Sequence, residues 1–119
     1  MKLKKSILIT GGSGFIGKNL VNYFLKKSNY KIINYDSLVY SSNNNLNIKK
    51  LNKKKYFFFK GDINNQKKIN SILKLFKPFA IINLAAESHV DRSIDDPLPF
   101  IKTNINGTFN LLTSSLKYY

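Results

Sequence analysis

An α/β fold built on a parallel sheet is predicted for this 119-residue chain by three observations. Strand-length apolar runs alternate with helix-length amphipathic stretches along most of its length. A glycine-rich turn, Gly11-x-x-Gly14-x-x-Gly17, joins the first such run to the first helical stretch. A carboxylate, Asp36, follows the second run directly. Strand and helix in alternation imply parallel strands joined by right-handed crossovers.

The elements follow in order. Ser6 to Thr10 is a short apolar, β-branched run, as expected of a buried parallel strand. From Gly14 to Lys27, Phe15, Ile16, Leu20, Val21, Phe24 and Leu25 recur at helical spacing. Lys26 and Lys27 fall in the last turn, where the helix dipole favours cations. Lys31 to Tyr35 reads as a second strand, and the polar, Asn-rich stretch 37–54 as a loop with a short helix. Tyr56 to Phe59 gives a third strand. Asn65 to Lys77 gives a helix with Ile69, Ile72, Leu73 and Phe76 on one side, and Phe79 to Leu84 a fourth strand. Pro97 suits the first position of a last helix, along which Ile101, Ile105, Phe109, Leu112 and Leu116 line one face. A fifth strand would normally follow. The expectation is therefore an incomplete doubly wound sheet of about four strands with flanking helices, part of a single domain.

Composition narrows the function. No apolar stretch approaches the roughly 20 residues a membrane span needs. The basic, apolar start MKLKKSILIT runs into glycines rather than into a signal-peptide cleavage site. Cysteine is absent, which removes disulfides and thiolate metal sites, and a lone His makes no metal site. A cytoplasmic location is expected. The net charge of +14 invites a polyanion partner, but 19 of the 20 basic residues are Lys, in a chain rich in Asn, Ile, Phe and Tyr. Codon bias towards A and T produces that profile, and a base-reading protein would use more Arg. Nucleic acid is thus disfavoured as a partner, and no membrane is expected.

At the glycine turn three ligands compete. In a dinucleotide loop the first glycine permits the tight turn and the second lets a pyrophosphate approach the backbone. The third lets the helix pack close to the strand, and the amides at the helix start bind the anion. Asp36 stands nineteen residues after Gly17, where a carboxylate accepts from the adenosine ribose hydroxyls. Gly12 to Lys18 also follows a triphosphate-loop pattern. The next position, however, is Asn19, where Ser or Thr would be needed for magnesium. A plain tight turn leaves Asp36 unexplained. The Rossmann-like dinucleotide reading wins, and the Asp36 charge favours NAD over NADP.

More specific motifs lie downstream. Thr10-Gly-Gly-Ser-Gly-Phe-Ile-Gly17, Gly61-Asp62-Ile63, NLAAESHVDRS (83–93) and TNINGT (103–108) occur in this order. Together they resemble the amino-terminal half of the extended short-chain dehydrogenase/reductases. LAAESHVDRSI with its following P-x-x-F-I-x-T-N-I-x-G-T is similar to the dTDP-glucose 4,6-dehydratase family of NAD-dependent epimerases and dehydratases. The resemblance implies NAD as cofactor. It sets Phe15 and Ile16 against the pyrophosphate and Asp36 on the adenosine ribose. Asp62 and Ile63 would flank the adenine, Leu84, Ala85 and Ala86 would run beside the nicotinamide half, and Thr103 would also contact the cofactor. Ser88 and His89 would face a dTDP-sugar, and Asn104 matches a supporting helix asparagine. Asp62 could equally cap a helix. One departure is Val39-Tyr40-Ser41-Ser42-Asn43, where the family pattern has a Thr at the position of Val39.

The resemblance also implies a Tyr-x-x-x-Lys pair and an acidic pair for dehydration, and neither is expected within 1–119. Tyr23 to Lys27 matches the spacing but lies on the first helix. Tyr56 to Lys60 lies in a predicted strand, where four residues separate side chains by roughly 13 Å. The chain is therefore expected to be the NAD-binding, amino-terminal portion of such an enzyme, inactive alone and with no catalytic residue of its own. A homodimer or a complementing chain would be its protein partner. A relative with epimerase chemistry and a non-catalytic nucleotide or nucleic-acid module are the alternatives.

Overall fold

The computed structural model describes residues 5–38, 54–87 and 90–119. Strands β1 (Ser6–Thr10), β2 (Lys31–Asp36), β3 (Tyr56–Lys60) and β4 (Ala80–Asn83) form one parallel sheet in the order β3-β2-β1-β4. All five residues of β1 and the last five of β2 are buried, as expected of central strands covered on both faces. On one face Ile7, Ile9, Val21, Leu25, Ile32 and Tyr56 form a core beneath helix α1 (Phe15–Lys27). On the other, Leu8, Ile33 and Tyr35 pack with Ile63, Ile69, Ile72, Leu73 and Leu111. The sheet is thus wound on both sides, as the alternating pattern predicts.

Helix α2 (Gln66–Phe76) begins at Asn65, whose side chain accepts from the Lys68 amide, and ends at Lys77, which takes a left-handed φ of 47° just before Pro78. The C-terminal end of α1 is closed from the turn before β3, where Lys55 Nζ donates to the carbonyls of Leu25 and Ser28 at 3.1 and 2.5 Å. That bond satisfies carbonyls which a helix end otherwise leaves bare. Most of the Asn-rich stretch 37–54, with Val39 to Asn43, lies outside the described residues. A short helix α3 (Val90–Asp95), which periodicity does not announce, follows β4.

The last helix departs from the sequence pattern. Helix α4 (Leu98–Phe100), a π-helical stretch (Ile101–Gly107) and α5 (Thr108–Tyr118) run on from one another. Its apolar stripe faces outward: Ile101, Ile105, Phe109, Leu112 and Leu116 are 44 to 82% exposed. Gly107, Leu111 and Ser114 are the buried residues instead. The cause is close approach at Gly107, where an added Cβ would come within 2.3 Å of Ile63 Cγ2. Asn110 fixes the same contact, its Nδ2 donating to the Ile63 carbonyl at 2.8 Å. Among the described residues, no helix is long and apolar enough to cross a membrane.

Candidate functional site

The strand order turns back between β1 and β4, so the loops leaving their carboxyl ends border a crevice, where doubly wound sheets bind ligands. The glycine turn forms one wall, and its three spaced glycines play different parts. Gly11 has φ 69°, and an added Cβ would lie 2.6 Å from the Leu84 carbonyl and the Ala85 nitrogen. The turn and the loop after β4 therefore press backbone on backbone. At Gly17 an added Cβ would meet the Gly11 carbonyl at 2.2 Å, so this glycine lets α1 lie against the turn. Gly14 is different, since its Cβ would meet only the Gly11 carbonyl at an ordinary 3.5 Å. Among the described residues nothing demands a glycine there, which leaves space above it.

Gly14 is also the N-cap of α1 and supplies no side-chain hydrogen bond. The first-turn amides are therefore available to an anion, with the helix dipole behind them. Phe15 and Ile16 open the helix 76% and 68% exposed, on the rim of the turn.

Asp36 ends β2 next to this mouth and is buried. Its Oδ2 accepts from the Ser13 amide at 2.9 Å, and its Oδ1 from the Leu38 amide at 2.8 Å. A carboxylate held by two backbone amides is oriented, and each oxygen keeps a lone pair for a further donor. Beneath the turn, Asn34 Nδ2 donates to Ser13 Oγ at 3.0 Å and to Tyr56 Oη at 2.9 Å. The Tyr56 hydroxyl is pushed up from its usual pKa by burial and by the Asp36 charge, with the Asn34 bond opposing. No motif announces that Asn34 joins Ser13 to Tyr56. The one signal for them is a polar residue in the middle of the run KIINYD.

Asp62 follows β3 and is exposed, its Oδ1 accepting from the Asn64 amide at 2.8 Å. The cap of α2 is Asn65, not Asp62. Ile63 commits its side chain to the core, which leaves only its backbone to face a ligand. Tyr35 Oη donates to the Asp62 carbonyl at 2.6 Å, and burial, with the Asp62 charge adding, pushes this hydroxyl up to about 12. Past β4, the Leu84 amide donates to the Thr10 carbonyl at 2.9 Å. Thr10 Oγ1 donates to Asn83 Oδ1 at 2.5 Å and accepts from the Ala85 amide at 3.4 Å. Ala86 is exposed and Thr103 half-buried within the π-helical stretch. Asn104 grips Glu87 twice: Oδ1 accepts from the Glu87 amide at 2.8 Å, and Nδ2 donates to its carbonyl at 3.0 Å. Ser88 and His89 lie outside the described residues. Of the two Tyr-x-x-x-Lys matches, Tyr23 is exposed on α1, and Tyr56 is buried in β3, where its hydroxyl accepts from Asn34.

The family model described as GDP-mannose 4,6 dehydratase matches residues 8–118. The chain belongs to this dehydratase family. It is 42% identical over 114 residues to the dTDP-glucose 4,6-dehydratase of Haemophilus influenzae, covering 96% of this chain and 34% of that one. The crystal structure of dTDP-glucose 4,6-dehydratase from Bacillus anthracis in complex with NAD is 40% identical with a TM-score of 0.82, over 96% of this chain and 34% of that one. The Streptomyces venezuelae dTDP-glucose 4,6-dehydratase, crystallised with NAD bound, is 35% identical with a TM-score of 0.87, over 95% and 36% of the two chains. The chain spans about a third of the length of these relatives.

For this member of the dehydratase family, the described crevice divides into two parts. The glycine turn and Asp36 make a cradle of uncapped first-turn amides beside an oriented carboxylate. The loop after β4, clamped by Thr10 and Asn104, makes the facing wall.

Proposed function

We propose that this chain is the NAD-binding portion of a nucleotide-sugar dehydratase that converts dTDP-glucose to a 4-keto-6-deoxy sugar. The observation that carries the reading is the Ser13–Asp36 bond, which sets the carboxylate at the mouth of the glycine turn. The cradle suits the diphosphate of a dinucleotide, because Gly14 leaves it room and α1 begins without a side-chain cap. Bound NAD supplies the acceptor and returning donor of a hydride. The residues of this chain bind and orient it. First-turn amides of α1 take the pyrophosphate, with Phe15 and Ile16 lying against it. Asp36 accepts from the adenosine ribose, and its charge repels a 2′-phosphate. Asp62 and the Ile63 backbone border the adenine, while Leu84, Ala85, Ala86 and Thr103 border the nicotinamide half. Ser88 and His89 contact the dTDP-sugar. The base and the acidic pair for dehydration come from residues outside 1–119.

Calorimetry on the folded chain tests this. Saturable heat on NAD injection, lost in Asp36→Ala, is the expected result, and no heat from the wild type overturns the reading. Incubation with dTDP-glucose and NAD is expected to give no 4-keto-6-deoxy product from these residues alone, and its formation would show that the base has been misplaced.

A further inference from the structure

We propose that Asn34 is a positioning residue that sets the ribose selectivity of the site without touching the cofactor; the inference rests on the dinucleotide reading above. Side chains alternate along β2, with Ile33 and Tyr35 on the α2 side and Ile32, Asn34 and Asp36 on the α1 side. Asn34 therefore occupies an apolar layer, fully buried, where an apolar side chain would carry no cost of polar desolvation. Its two donors are both used, one on Ser13 Oγ in the turn and one on Tyr56 Oη in β3. Its carbonyl oxygen has no hydrogen-bond partner and faces Gly12.

Gly12 records the same arrangement. A Cβ on residue 12 would come within 2.4 Å of Asn34 Oδ1 and 2.7 Å of its Cγ. The dinucleotide spacing asks nothing of position 12. A side chain there would displace the asparagine beneath it. Ser13 is 1% exposed, so its hydroxyl is anchored from below rather than offered to a ligand. What it offers is its amide, which holds Asp36 Oδ2. The linkage thus runs from Tyr56 through Asn34 to Ser13 and on to the carboxylate, across β3, β2 and the turn. Asp36 Oδ1 is held separately, by Leu38. Loosening Asn34 should therefore free one carboxylate oxygen and leave the other in place.

Asn34→Leu keeps the side-chain size and removes both donors. The probes are NAD and its 2′-deoxyadenosine analogue. The wild type should prefer NAD by about 10- to 100-fold, the worth of one hydrogen bond to a charged group. In Asn34→Leu that preference should shrink to within about threefold, because the oriented oxygen is lost. Ser13→Ala, which keeps the backbone amide, should shrink it in the same direction and add nothing further in the double variant. A residue that merely fills space would weaken both probes alike, and an unchanged preference in Asn34→Leu or Ser13→Ala overturns the proposal.

A ligand-free readout separates this from failure of the dinucleotide reading. In hydrogen exchange the Ser13 and Leu38 amides, both bonded to the Asp36 carboxylate, should both give a protected response in the wild type. In Asn34→Leu, or in Ser13→Ala if the first variant does not fold, the Ser13 response should collapse and that of Leu38 persist. Equal responses in wild type and variant overturn the linkage. Collapse at Ser13 in a protein that binds no NAD would support the linkage and remove the cofactor reading.

Discussion

The Ser13 amide donates to Asp36 Oδ2 at 2.9 Å, although the two residues stand 23 positions apart. That single bond joins the glycine turn to the end of β2 and gives the carboxylate its direction. In Asp36→Asn one amide loses its acceptor and meets a donor instead, in a buried site. The fold should lose about 1–3 kcal/mol, the cost of leaving a buried donor unpaired. NAD affinity should fall about 10- to 100-fold, and the handicap of NADP relative to NAD should shrink because the repelling charge is gone. Thermal denaturation reads the first effect and calorimetry with both dinucleotides the second.

Gly14 and Gly17 should behave oppositely on conversion to alanine. At Gly17 the new methyl group would meet the Gly11 carbonyl at 2.2 Å and the Gly12 Cα at 2.7 Å. Gly17→Ala should cost about 1–3 kcal/mol of stability through overpacking, whether or not a ligand is added. At Gly14 the methyl finds only a 3.5 Å contact, with φ −72°. Gly14→Ala should cost less than about 1 kcal/mol, the preference at an N-cap, while NAD binding falls below detection. If Gly14→Ala binds NAD normally, the space above it is not where a pyrophosphate sits.

Tyr35 predicts a step in alkaline stability. Its hydroxyl donates to the Asp62 carbonyl, and its pKa is pushed up from 10.0 to about 12. Below pH 10 the phenol is neutral whether the chain is folded or not, and its contribution is fully present. Above that the unfolded chain ionises first, so stability falls as pH rises towards 12, by at most about 1.4 kcal/mol per pH unit from this group. In Tyr35→Phe that component should vanish, and stability at neutral pH should drop by about 1 kcal/mol with the lost hydrogen bond. Urea denaturation of both proteins across pH 9 to 12 measures the difference. Parallel curves would mean that Tyr35 ionises as freely in the folded protein as in the unfolded one.

The strands and helices on either side of β1 were legible because burial on both faces writes itself as apolar runs, seen in Ile7 to Ile9 and in Ile32 and Ile33. The turn was legible because Gly11 and Gly17 answer to backbone contacts that no side chain survives. What escaped detection depends on contacts remote in sequence. The stripe from Ile101 to Leu116 reads as a core face, yet the helix buries Gly107, Leu111 and Ser114, because Gly107 alone lets it close on Ile63. Periodicity reports that a helix has an apolar side, not which neighbour comes nearest. The floor of the site escaped for the same reason. Asn34, Ser13 and Tyr56 meet only when β2, β3 and the turn are assembled. The π-helical stretch from Ile101 to Gly107 has no spacing signature either, and such stretches are frequent at functional sites.

Asn104 lies in that stretch, and its grip on Glu87 gives the last prediction. The side chain meets the Glu87 backbone with both ends, Oδ1 on the amide and Nδ2 on the carbonyl, as a neighbouring strand would. Among the described residues Thr10 bonds Leu84 and Ala85 at the near end of this wall, and Asn104 bonds the Glu87 backbone at its far end. Asn104→Ala should speed hydrogen exchange at the Glu87 amide by about tenfold or more, the loss of roughly one hydrogen bond. Exchange at Leu84, which is held by Thr10, should stay unchanged. Asn104→Asp retains the acceptor for the Glu87 amide and sets a second oxygen against the Glu87 carbonyl. It should therefore protect the amide better than Asn104→Ala does while still loosening the wall. Exchange measured by NMR on the three proteins resolves the two ends of the grip. Equal protection of Glu87 in all three would mean that the loop after β4 holds its shape without the helix.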